Sequence, residues 1–111
     1  MLPKRDVAIV RSYCEQRVPP EASRQVRVEL EEGREALTIV ERRAPWREDF
    51  GPEWTTQSVA RMRWTMRTGA WTLYWCGADA RWHRYDLSEP AADIRVLLDE
   101  LDNDPTGIFW G

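Results

Sequence analysis

The chain of 111 residues contains a single histidine, His83, the one candidate for proton transfer near neutral pH. In "RWHRYD" it alternates with Arg81 and Tyr85, so an extended backbone sets all three on one face. With Arg61, Arg63 and Tyr74 on neighbouring strands, that face becomes a cationic, hydrogen-bonding surface. An ordinary wet sheet face, with His83 bonded to a carboxylate or to water, is the plainer expectation. No motif supplies His83 with a serine or cysteine nucleophile, so no catalytic residue is assigned.

Metal chemistry has little to work with. Structural zinc needs about four Cys or His ligands in close spacing, whereas Cys14 and Cys76 stand 62 positions apart. Glu48, Asp49 and Glu53 offer an all-carboxylate magnesium site, but Arg42, Arg43 and Arg47 are equally good partners for them. There is no glycine-rich phosphate loop. Neither a metal nor a cofactor is expected.

The elements that must position these groups follow from periodicity. Val7, Ile9, Val10, Tyr13, Cys14 and Val18 fall on one half of a helical wheel, which predicts a helix over 4–17 with Pro3 near its first turn. "VPPEAS" ends it. Val26, Val28 and Leu30 alternate with Arg27, Glu29 and Glu31 in a first strand, and "EEGRE" turns into a second, "ALTIVER". A third strand over 57–66 sets Ala60, Met62, Trp64 and Met66 against Arg61, Arg63 and Thr65. A fourth, "AWTLYWC", sets Trp71, Leu73 and Trp75 against Thr72 and Tyr74, and "RWHRYD" is the fifth. Ser88 is a plausible cap for a second helix over 89–102. Its apolar stripe is Ala91, Ile94, Leu97, Leu98 and Leu101, and its acidic face carries Asp93, Asp99, Glu100 and Asp102.

The expected fold class is therefore α+β. An antiparallel meander of four or five strands carries one N-terminal and one C-terminal helix packed on it, in the order α-β-β-β-β-β-α, as a single domain over 1–111. The terminal "DPTGIFWG" reads as a reverse turn that returns Ile108, Phe109 and Trp110 to the body as a plug. The competing reading is an exposed hook for a partner.

The longest connection, "RRAPWREDFGPEW", concentrates Arg43, Trp46, Arg47, Glu48, Asp49, Phe50 and Trp54. It could be an interface hot spot, or it could simply fasten itself to the domain. With "WTLYW", "RWHRYD" and "DPTGIFWG", this block resembles the signature of a small bacterial family known as domain of unknown function 3024. The likeness runs from about Leu37 to Gly111, and residues 1–36 match in pattern only. The resemblance implies a compact domain of the bacterial cytoplasm and carries no reaction, ligand or catalytic residue.

Composition narrows the function classes. Hydrophobic content of 42% can fill a core, and 32% charge at a net of −3 argues against disorder. No apolar run reaches the roughly 18 residues of a membrane span, and no leader pattern is seen, so no membrane association and a cytoplasmic location are expected. Two isolated thiols fit a reducing compartment. Seven tryptophans supply large apolar area, mostly on the dry sheet face. Charge is segregated: over 57–84 five arginines face one aspartate, while over 85–111 seven acids face Arg95. An acidic second helix lying across the basic strands would neutralise them, which with the pI near 5.2 makes nucleic acid an unlikely partner. The leading expectation is a non-enzymatic binding module, for a protein partner or a second copy, using the 44–56 loop and the arginine sheet face. Single-stranded nucleic-acid binding, or a small-molecule enzyme with its pocket under that loop, are the alternatives.

Overall fold

A computed structural model describes residues 1–45, 51 and 53–111. Trp46, Arg47, Glu48, Asp49, Phe50 and Pro52 lie outside the described residues. The elements are α1 (Lys4–Arg17), a 3-10 turn (Pro20–Ala22), β1 (Val26–Glu32), β2 (Ala36–Arg43), β3 (Thr55–Thr65), β4 (Ala70–Cys76), β5 (Trp82–Arg84) and α2 (Ile94–Asn103). The strands form one antiparallel sheet in the order β1-β2-β3-β4-β5, as the short turns between them require.

Both helices cover the same sheet face. The core joins Val10 and Cys14 of α1, Leu37 and Ile39 of β2, Ala60 and Met62 of β3, Trp71 and Leu73 of β4, and Ile94, Leu97, Leu98 and Leu101 of α2. These are the positions that the strand alternation and the helical stripes select. One register shift interrupts the pattern. Ile39 pairs with Ala60 but Val40 with Ser58, so Val59 is the extra residue of a β-bulge and is buried out of phase. Met66, expected to continue the dry side of β3, is 79% exposed because the strand ends at Thr65 and turns there.

The second helix starts later than its apolar stripe suggests. Ser88 does not cap it. Asp93 does, its carboxylate accepting the Arg95 N–H at 3.0 Å. Residues 89–91 are outside the helix, and Ala91 exchanges backbone hydrogen bonds with Trp71 at 2.8 and 3.0 Å. The bridge to Trp71 holds Ala91 against the sheet, and the helix begins only after the Asp93 cap.

At the C-terminus, Asp104 adopts a left-handed conformation that ends α2, and Gly107 N–H donates back to its carbonyl at 3.0 Å. The Asp104 carboxylate then accepts the N–H groups of Phe109 and Trp110 at 3.1 and 2.8 Å. The Phe109 ring packs on Tyr85 with centroids 4.9 Å apart, and the Trp110 indole donates to the Leu101 carbonyl at 3.1 Å under the Arg17 guanidinium. The tail is thus a plug built on two rings. Ile108, expected inside with them, is on the outside at 36% exposure, against 4% for Phe109. Phe109→Ala should cost about 3–5 kcal/mol of unfolding free energy and Ile108→Ala under about 1 kcal/mol. Urea denaturation of the two variants checks the contrast, and equal losses would contradict the plug.

Candidate binding face

The sheet face opposite the helices carries the arginines. Side chains directly opposite one another in an antiparallel pair share a face, and the register pairs Arg61 with Tyr74, Arg63 with Thr72, and Tyr74 with Arg84. The Arg61 guanidinium donates through Nε to Thr38 Oγ1 at 3.0 Å and lies 4.5 Å from the centroid of the Trp82 ring. Arg63 reaches the Glu35 carboxylate at 3.8 Å. Arg34, Glu35, Arg61, Arg63, Tyr74 and Trp82 line a shallow concavity of about 550 Å³. No described helix lies on this side of the sheet. The acidic α2, expected across the basic strands, packs instead on the far side against β4. The arginines are therefore not neutralised by it.

His83 does not belong to this surface. Arg81, His83 and Tyr85 do alternate together, but the register pairs His83 with Trp75, on the helix side. The imidazole stacks on that indole with ring centroids 4.7 Å apart and planes 28° apart. Its Nε2 is 3.1 Å from both Asp79 carboxylate oxygens, and Asp79 also accepts the Arg81 N–H at 3.0 Å. Tyr85 is buried rather than wet, and its hydroxyl donates to Glu100 at 3.2 Å. Alternation fixes which residues share a side; the β4–β5 turn decides which side. Trp82 and Arg84 take the places on the open face that were expected for His83 and Arg81. The signal that finds them is the pairing of β5 against Tyr74.

Gly77 lies tightly against the Asp79 and His83 side chains. A Cβ there would sit 2.5 Å from Asp79 Oδ1 and 2.8 Å from His83 Nε2, closer than any side chain tolerates. Asp79, His83 and Gly77 form one packed corner of the hairpin. No serine or cysteine oxygen or sulfur is hydrogen-bonded to His83 among the described residues.

Of the loop candidates, the described residues Arg43 and Trp54 are not brought to the arginine cluster. Arg43 closes β2 with its Nε on the Glu41 carboxylate at 2.6 Å, and it pairs with Thr55, six residues along β3 from Arg61, about 20 Å away. Trp54 lies under the Arg27 guanidinium at 4.6 Å. Of the remaining loop candidates, Trp46, Arg47, Glu48, Asp49 and Phe50 fall outside the described residues, and with them most of the carboxylate set considered for magnesium. Among the described residues no three His, Cys, Asp or Glu side chains gather closely enough to hold a metal ion. Both cysteines are free; burial pushes the Cys14 thiol up to about 11, so it stays protonated and inert near neutral pH.

The chain belongs to the family described as Domain of unknown function (DUF3024), which matches residues 1–111, the whole chain rather than the C-terminal two thirds alone. No curated protein and no solved structure matches it. No described helix is long and apolar enough to cross a membrane.

The corner at Asp79 makes a pH prediction. Its hydrogen bond to His83 and the Arg81 N–H hold the Asp79 carboxyl below its ordinary value. A carboxyl depressed in the folded state stabilises above its unfolded pKa of about 3.9, and that stabilisation is lost as the pH falls through the folded value. Asp93 acts in the same sense through Arg95. Thermal melts from neutral pH to about pH 2 should therefore fall less steeply below about pH 4 for Asp79→Asn than for the wild type.

Proposed function

We propose that this protein is a non-enzymatic binding module of the bacterial cytoplasm, and that the uncovered sheet face bearing Arg61, Arg63, Tyr74, Trp82 and Arg84 receives an acidic protein partner. The observation that carries the reading is the one-sided packing of both helices, which leaves arginine, tyrosine and tryptophan together on an open face. These residue types anchor interfaces, because they combine large contact area with directional hydrogen bonds. Arg61 is already held by Thr38 and Trp82, so less side-chain freedom is lost on association. Against an enzyme, the single imidazole is committed to Asp79 and Trp75 in a turn, away from the concavity. Two free thiols suit a reducing compartment.

Single-stranded nucleic acid is the second reading, favoured by the position of α2 on the opposite side of the sheet from the arginines. It is ranked lower because the chain is acidic overall, at −3, and because one face of the Trp82 ring is already occupied by Arg61.

The test is Arg63→Glu combined with Arg84→Glu. Both side chains are exposed, so the melting temperature should stay close to that of the wild type. Proteins recovered with the wild type as bait should fall at least about tenfold with the variant. Equal recovery would rule out this face. Retention on an immobilised single strand that weakens with salt, and is lost in the variant, would replace the protein reading with the nucleic-acid one.

A further inference from the structure

The two edges of the sheet are finished differently. Past β5, the chain continues along β4, with Tyr85 N–H donating to Leu73 O at 2.9 Å and Ala91 bridging Trp71. That edge is short, because β5 has only three residues and the chain beyond it covers the rest of β4. The outer edge of β1 receives no backbone hydrogen bond among the described residues.

Which groups face outward follows from the ends of the β1–β2 ladder. Gly33 N–H donates to Ala36 O at 2.7 Å and Ala44 N–H to Gln25 O at 2.9 Å, and the register between them is unbroken. Hydrogen-bonded pairs alternate in an antiparallel ladder, so the odd residues of β1 bond to β2. Val26, Val28, Leu30 and Glu32 then direct their N–H and C=O groups away from the sheet. Val26, Val28 and Leu30 are also only partly buried, while Leu37 and Ile39 on the next strand are fully buried. Beside this edge, the flank of α1 and the β1–β2 turn border a concavity of about 580 Å³, lined by Leu2, Val7, Ala8 and Glu32 among others.

We infer that β1 pairs antiparallel with β1 of a second copy about a two-fold axis through Val28, joining two sheets into one. The axis is chosen by charge. Through Val28, Arg27 of each copy faces Glu29 of the other, Val26 faces Leu30, and Val28 faces itself. An axis through Arg27 opposes two arginines, one through Glu29 opposes two glutamates, and one through Leu30 sets Glu29 against Glu31. Of these axes, the one through Val28 sets opposite charges against each other and keeps the outward amides paired. The arrangement also extends an existing pair, since Glu29 already lies 3.5 Å from Arg42. Isolated charges on an edge strand serve to repel other strands; here their order makes the strand complementary to itself. This surface is separate from the arginine face, and the inference does not depend on the function proposed for it.

Sedimentation equilibrium over the micromolar to near-millimolar range tests it. The wild type should reach a dimer. Val28→Pro removes one outward N–H and no β1–β2 bond, and should weaken the dimer at least about tenfold. Arg27→Glu should do the same, and Arg27→Glu with Glu29→Arg should return association to within about threefold of the wild type. Should Val28→Pro fail to fold, the charge series decides alone. Arg63→Glu serves as the control and should leave the dimer unchanged. A wild type monomeric throughout, or a dimer indifferent to the charge series, would overturn the inference.

Discussion

The Trp71 indole is fully buried, and its N–H still finds an acceptor, the Asp6 carboxylate at 2.8 Å in the first turn of α1. An indole N–H left unpaired in that position would cost about 1–3 kcal/mol, so the bond fixes where α1 sits on the sheet. The same residue packs its ring on Trp64, with centroids 5.2 Å apart, and exchanges two backbone bonds with Ala91 on the way into α2. One position on β4 thus joins the sheet, the first helix and the approach to the second. A domain of this size has few interior positions, and a tryptophan fills more of that interior than any other residue.

Burying one sheet face leaves the other to be managed by side chains. On the open side Thr38 is buried beneath its neighbours, with Arg61 bonded to its hydroxyl and laid over Trp82. A cation–π contact at such a site contributes about 0.5–1 kcal/mol, enough to order the guanidinium without locking it away from solvent. Because α2 takes its acidic surface to the far side, the electrostatic character of the two sides differs. The positive side is therefore a property of the packing more than of the net charge.

The His83 corner and the C-terminal plug illustrate one principle at two places. In each, an aspartate accepts backbone N–H groups that would otherwise lack partners: Arg81 N–H at Asp79, and Phe109 and Trp110 N–H at Asp104. Each aspartate then brings rings to their seats, His83 onto Trp75 and Phe109 onto Tyr85. Short polar side chains at turns set the direction of the apolar groups that follow, which is why Phe109 points inward while its neighbour Ile108 does not.

The alternation of Val26, Val28 and Leu30, the stripes of the two helices and the brevity of the turns were enough to indicate an antiparallel meander of four or five strands between two helices, and the structure has five. Local periodicity reports which residues share a side, and apolar residues must share the buried one. The sequence alone also identified Arg61, Arg63 and Tyr74 as companions. It could not show that Trp82 and Arg84, rather than His83 and Arg81, join them, because a shift of one residue in the β4–β5 pairing exchanges the two sides of β5 without altering its pattern. It could not place α2 away from the arginines either, since a charged helix face is compatible with either side of a sheet until the core selects one. Register, layer and cap are decided by contacts between residues far apart in the chain, and those exist only once the chain has folded.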